Sequence, residues 1–242
     1  MILSNATAIL HDAATESSGD LILDGAVVAE PGTEPAGETL DVSGCVVTPG
    51  LVNAHHHLMQ SAFRTLPGTR GVPMAEWLPT MAAAYSRVGI SPELMRAAAS
   101  VGVAEGLLFG VTTVADHHLS WPAGLPAGAS VALARATAEA ARELGGRLVF
   151  VRGAARDDPN EAAASAEAIV QALLPDASGG VSKDGMLQLA VGPAGVHSDP
   201  RESFERLGEV AARHGLRRRT QANEQVDVAI ALEKYGKRPL DL

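Results

Sequence analysis

The sequence holds a single cysteine, Cys45, so an internal disulfide is excluded, and so are a thiolate metal cage and a CxxC redox pair. Aromatic residues are scarce, 3% against 46% hydrophobic residues, so the core has to be assembled from Ala, Val and Leu. No run approaches the roughly 18 apolar residues that cross a bilayer. The first 19 residues lack the basic start and unbroken apolar stretch of a secretory signal, and the expected location is the cytoplasm. An excess of basic charge is missing too. The formal net charge is -9, with both signs mixed along most of the chain, which argues against nucleic acid or an anionic membrane surface as the main partner.

What is present is an ordinary globular composition in a chain long enough to bury a real core. Residues 1–48 read as short strands at 21–23, 26–29 and 40–47, with turn signals at Gly25, Pro31-Gly32 and Gly37. After Thr48-Pro49-Gly50 the pattern changes, and strands alternate with helices. Strands are expected at 51–54, 111–115, 148–151, 187–191 and 216–221. A long insertion with one or two helices follows the first strand. Ser91-Pro92-Glu93 supplies an N-cap with proline at the first helical position, and Gly110 lies beyond that helix. Further helices are expected at 130–144, at 161–174, between Asp199-Pro200 and Gly215, and at 224–235.

Five successive βα units with short loops imply a parallel sheet with helices packed outside it. An open, dinucleotide-binding sheet would carry a Gly-rich fingerprint after its first strand, whereas this one ends in Ala54-His55-His56-His57. A barrel gathers its active site at the C-terminal ends of its strands, where the polar residues cluster here. The expected fold is α/β: a (β/α)8 TIM-type barrel behind a small N-terminal β-sandwich segment, with domains at 1–48 and 49–242. A whole barrel takes roughly 250 residues, so residues 49–242 are expected to hold about five βα units of an incomplete one.

His55 and His57 stand two apart at a strand end, so both imidazoles project from one face. Such a pair can chelate one divalent metal; a surface histidine run that binds nothing has the same spacing. The string Thr48-Pro49-Gly50-Leu51-Val52-Asn53-Ala54-His55-His56-His57-Leu58 resembles the entry into the barrel of the amidohydrolase superfamily. Gly110-Val111-Thr112-Thr113-Val114-Ala115-Asp116 is similar to its second strand, and Leu189-Ala190-Val191-Gly192-Pro193 to its fourth. His214-Gly215-Leu216, Thr220, Glu224 and Glu233-Lys234-Tyr235-Gly236 resemble the fifth strand and its helix. Within the superfamily the likeness is to the cytosine, guanine and 8-oxoguanine deaminases and the triazine hydrolases.

That resemblance implies one zinc or iron held by His55 and His57, with His56 turned outward or toward a neighbouring loop. Gln60 and Arg64 would shape the substrate pocket, and Trp77 would cover a planar ring or simply pack. Of His117 and His118, the resemblance turns His118 toward the site. Arg152 would touch substrate or pair with Asp157 or Asp158, and His197 receives no role. Glu224 would move a proton from metal-activated water to a substrate nitrogen; as a carboxylate in the first turn of its helix it also answers the macrodipole. The implied reaction is hydrolysis of a C–N bond in a small heterocycle such as 8-oxoguanine or guanine. Triazine and S-adenosylhomocysteine-type substrates are the alternatives, and a homo-oligomer would suit the family.

The fifth strand departs from the pattern. Where relatives carry His-x-His, this chain reads Arg219-Thr220-Gln221, so Gln221 stands at a ligand position with a poorer donor. Arg218 is expected to face the helix layer, where an unpaired guanidinium costs several kcal/mol, and parallel barrel strands are normally apolar. No histidine follows His214, and the family's sixth-strand His and eighth-strand Asp would fall beyond Leu242. Weak metal binding and impaired catalysis are therefore expected. A non-catalytic remnant and a half-barrel subunit completed by a second chain stand as alternatives, because an open parallel edge invites pairing.

Overall fold

The structure, a computed structural model, describes residues 1–25, 27–30, 32–34, 36–175 and 178–242. Ala26 and Pro31, read above as part of a strand and of a turn, lie outside the described residues. The chain divides into two compact units, Met1–Leu51 and Val52–Leu242.

The first unit is a sheet of β1 (Ile2–Leu10), β2 (Glu16–Asp24), β3 (Val27–Val28), β4 (Thr39–Asp41) and β5 (Val46–Val47), in the order β3-β2-β1-β4 with β5 also on β1. Strand β1 escaped the sequence reading because its alternation is broken. Asn5 takes a positive φ of 62°, the register with β2 shifts on either side of Ala6, and the Asn5 N–H is held by Asp20 at 3.0 Å. The expected strand at 40–47 is split in two. Gly44 turns the chain at φ 78°, and the Asp41 carboxylate caps that turn through the Ser43 N–H at 3.0 Å.

The second unit carries a five-stranded sheet in which every strand lies beside its neighbour in sequence. Its members are β6 (Leu51–His56), β7 (Val111–His118), β8 (Arg147–Ala154), β9 (Leu187–Pro193) and β10 (Arg217–Arg218). The pairings β7–β8, β8–β9 and β9–β10 are parallel. Helices α1 (Met74–Val88) and α2 (Pro92–Leu108) fill the long insertion, followed by α3 (Ala127–Glu143), α4 (Pro159–Leu173), α5 (Arg201–His214) and α6 (Gln225–Tyr235). Their ends are written locally. The Ser91 hydroxyl accepts the Leu94 N–H at 3.3 Å to start α2, Asp158 accepts from Asn160 and Glu161 to start α4, and Gly215 closes α5 at φ 65°. The strands bury Leu148, Phe150, Leu189 and Val191 against Ala134, Ala141, Ala162, Ala166, Ile169 and Leu207. Small helix residues let backbones approach closely and make up for the scarcity of aromatics.

Strand β10 is shorter than the expected 216–221. Only Arg217 and Arg218 pair, opposite Ala190 and Val191, and both are exposed. The burial penalty anticipated for Arg218 is therefore not incurred. The Arg218 guanidinium lies over Gly208 of α5, with Nη1 3.9 Å from where a Cβ would stand. Beyond β10 the Arg219 N–H still donates to the Val191 carbonyl at 2.9 Å. Its own carbonyl then passes so close to Gly192 that a Cβ there would overlap it. Gly192→Ala is accordingly expected to push β10 away and to lower stability by about 1–3 kcal/mol. Gly208→Ala, in open helix, is expected to gain up to about 1 kcal/mol. Urea unfolding of the two variants checks both signs.

Candidate metal and active site

Strand β6 delivers His55 and His57 to one side. Their Nε2 atoms face each other at 3.2 Å, with the rings edge-on at 85°. Tetrahedral zinc with Zn–N bonds of about 2.0–2.1 Å needs its nitrogens about 3.3 Å apart. The pair thus has the spacing of two ligands on one ion. The His57 Nδ1–H donates to the His117 carbonyl at 2.6 Å, which fixes the tautomer and leaves the Nε2 lone pair for a cation. Burial pushes the His57 pKa down, so the ring is neutral as a ligand must be. His56 points the other way, its Cε1 3.6 Å from where a Cβ on Gly102 of α2 would stand.

On β7 the same alternation separates His117 from Asp116 and His118. The His117 Nε2–H donates to the Gly192 carbonyl at 3.1 Å, and Nδ1 accepts from the Gln221 amide at 3.3 Å. Burial drives its pKa to about 4, opposed by the Gly192 carbonyl and aided by His57, His55 and Arg219. The structure therefore corrects the expectation for this strand end, because His117 faces the site and His118 does not. His118 is enclosed between Trp121 and Phe150, at centroid distances of 4.5 and 6.1 Å, and burial drives its pKa to about 3. Arg152 is corrected in the same sense. It stands opposite His118 in register, and its guanidinium pairs with Asp157 at 2.6 Å, donates to Ser165 at 3.1 Å and stacks on Trp121 at 4.5 Å. It ties β8 to α4 and the following loop.

Beside the pair lies a cleft of about 450 Å³ lined by His55, Gln60, Phe63, Arg64, Trp77 and Met81. Trp77 borders this cleft and packs with the buried Phe63 and Met81. Arg64 reaches Glu105 of α2, Nη1 to Oε1 2.6 Å, which holds its guanidinium at the rim.

The residues after β10 close the picture from the other side of the sheet. Arg219 Nη2 donates to the Ala54 carbonyl at 3.0 Å, directly before His55. Gln221 spends its amide nitrogen on His117, which leaves its carbonyl oxygen as a donor. Glu224 occupies the N-cap of α6, and its carboxylate has no hydrogen bond or ion pair among the described residues. Sequence reasoning missed Asp227. It is buried, accepts the Asn223 N–H at 3.1 Å and meets His197 Nδ1 at 3.3 Å, so it braces the turn that carries Glu224 and gives His197 a partner. Its position in the first turn of α6 was the available signal. A divalent metal fits the His55–His57 pair. Among the described residues, however, no group of three His, Cys, Asp or Glu side chains converges to complete a set.

Consecutive parallel βα units with polar residues gathered at the C-terminal ends of the strands are the arrangement of a TIM-type barrel. The chain belongs to the amidohydrolase family, which residues 46–241 match. It is 31% identical to 8-oxoguanine deaminase from Pseudomonas aeruginosa, over 99% of this chain and 55% of that protein. It is also 31% identical to an isoxanthopterin deaminase from an unknown prokaryotic organism, over 84% of this chain and 44% of that one. Among solved structures it is similar to atrazine chlorohydrolase TrzN from Arthrobacter aurescens TC1 complexed with zinc, with a TM-score of 0.84 and 28% identity over 99% of this chain and 56% of that chain. The chain thus spans about half the length of these relatives.

The enclosed His118 has a measurable consequence. Its folded pKa, about 3, lies below the unfolded value, so its stabilising share is complete above pH 6.5 and is lost as pH falls toward 3. Asp116, fully buried and pushed up to about 7, acts with the opposite sign, losing stability as pH rises from about 4 to 7. His118→Phe is expected to remove the share of the acid limb that His118 contributes beside His117, changing the slope of stability against pH by at most about 1.4 kcal/mol per unit. The difference between variant and parent unfolding curves from pH 4 to 7.5 tests this.

Proposed function

We propose that this chain belongs to a metal-dependent amidohydrolase that hydrolyses a C–N bond in a nucleobase-like heterocycle, with 8-oxoguanine or guanine as the leading substrates. The observation that carries the proposal is the His55–His57 pair, with facing Nε2 atoms at 3.2 Å beside a cleft with an aromatic wall. The likeness to 8-oxoguanine deaminase supports the substrate class. The 5-methylthioadenosine/S-adenosylhomocysteine deaminases, 28% identical in Halobacterium salinarum, and the triazine hydrolases support the alternatives.

His55 and His57 would hold zinc or iron, with the Gln221 carbonyl oxygen as a weaker third ligand. A bound divalent ion supplies Lewis acidity that lowers the pKa of water from 15.7 toward roughly 7. Trp77 covers one face of the planar ring, and Gln60 and Arg64 orient its polar edge. Glu224, at the head of α6 and without a hydrogen-bond or ion-pair partner among the described residues, would accept a proton from the attacking water and deliver it to the ring nitrogen. The proton of the added hydroxyl then passes to the amino group, which leaves as ammonia while the carbonyl forms. His117 braces the site through His57 and Gln221.

A second reading rests on Gln221 and Arg219, which stand where the family has histidines: a non-catalytic remnant, or a subunit that needs a second chain. Elemental analysis with ammonia release from guanine and 8-oxoguanine separates the two. The expected result is zinc or iron held weakly, at less than one ion per chain, and abolished by His55→Ala or His57→Ala. Gln221→His is expected to tighten zinc by about tenfold or more, worth about 1.4 kcal/mol or above. A chain without metal or turnover sinks the hydrolytic reading and leaves the second.

A further inference from the structure

Asp116 is fully buried on β7 and takes no part in the proposed reaction. One carboxylate oxygen accepts the Leu58 N–H at 2.8 Å, and the other has no partner among the described residues. A buried carboxylate with a single hydrogen bond is costly, and an apolar side chain would be cheaper unless the bond it makes is needed. That bond lies at a distinctive place. Leu58 opens the 3-10 turn Leu58–Phe63, whose N-cap is His57, and His57 makes no side-chain capping bond. The first amide of such a turn has no internal acceptor. Asp116 supplies the acceptor from the neighbouring strand. Next to it, the His117 carbonyl takes the His57 Nδ1–H at 2.6 Å. Two consecutive β7 residues therefore grip two consecutive residues at the end of β6, one by the backbone and one by the ring.

We infer that Asp116 is a positioning residue: by accepting the Leu58 N–H it sets the His57 backbone so that its ring donates to His117 and presents Nε2 toward His55. The inference rests on the metal reading only for its effect on affinity; its effect on the His57 ring is independent of any ion.

The test compares the full 242-residue chain with its Asp116→Ala, Asp116→Val and Asp116→Asn variants. Two quantities are read: Co²⁺ affinity from its visible absorption, and the His57 tautomer from long-range ¹⁵N–¹H correlation of the metal-free protein. Circular dichroism confirms that each is folded, and Asp116→Val keeps the space filled should the alanine variant collapse. Loss of the capping oxygen is expected to weaken Co²⁺ by about 10- to 100-fold, the usual effect of removing a ligand's support, and to mix the Nδ1–H and Nε2–H forms of His57. Asp116→Asn, which retains an acceptor oxygen, is expected to stay near the parent in both readouts. A merely structural residue would alter thermal stability and leave the tautomer alone. Folded alanine and valine variants with parent affinity and a single Nδ1–H tautomer would overturn the inference. If the parent chain binds no Co²⁺ while the tautomer still mixes in the variants, the metal reading fails and the positioning role of Asp116 stands.

Discussion

The hydrogen bond from the His57 ring to the His117 carbonyl, 2.6 Å long, is the contact around which the site is organised. It crosses from β6 to β7, selects one imidazole tautomer and leaves the remaining nitrogen facing His55. The adjoining Leu58 amide, held by Asp116, stops the chain from unwinding where the strand gives way to a turn. His117 is in turn seated by the Gly192 carbonyl and the Gln221 amide, so strands β7, β9 and the segment after β10 are all tied to one ring. A buried network of this kind keeps its geometry because every neutral nitrogen in it has a defined direction.

The edge of the sheet shows how charge and exposure decide local order. Three consecutive arginines, 217–219, cannot form a buried parallel strand, and the chain pairs only two residues before leaving the sheet. Arg217 and Arg218 are exposed, while the Arg219 guanidinium donates to the Ala54 carbonyl. A cation thus stands close to the histidine pair, and it contributes to the low pKa of His117. The same residues that weaken the strand also set the electrostatics of the site.

Between the sheet and α3–α4 lies a separate polar cluster. Arg152, Asp157, Ser165 and Ser130 form a connected chain of bonds under Trp121, with Ser165 to Ser130 at 2.9 Å. Taking Arg152 for a substrate contact followed from its place at a strand end. The pleat decides otherwise, because Arg152 and His118 are paired positions in register and both lie on the helix-facing side.

Much was legible in the residues alone. The glycine and proline punctuation and the apolar runs were enough for the five βα units, which depend on local periodicity, while the family followed from the resemblance of the strings at the strand ends. The parity of β7 was not legible. The strand runs to His118, three residues past its expected end, and its tail is polar, so hydropathy carries no sign of which histidine turns inward. Strand β1 stayed hidden for a related reason, its alternation being interrupted at Asn5. The roles of Asp116 and Asp227 depend on backbone amides that only the fold brings to them, 58 residues away for Asp116. Residue type and spacing determined which chemistry the chain can offer; the tertiary structure decided which side chains share a face and a partner, because strand register and hydrogen bonds between distant segments are set only when the sheet closes.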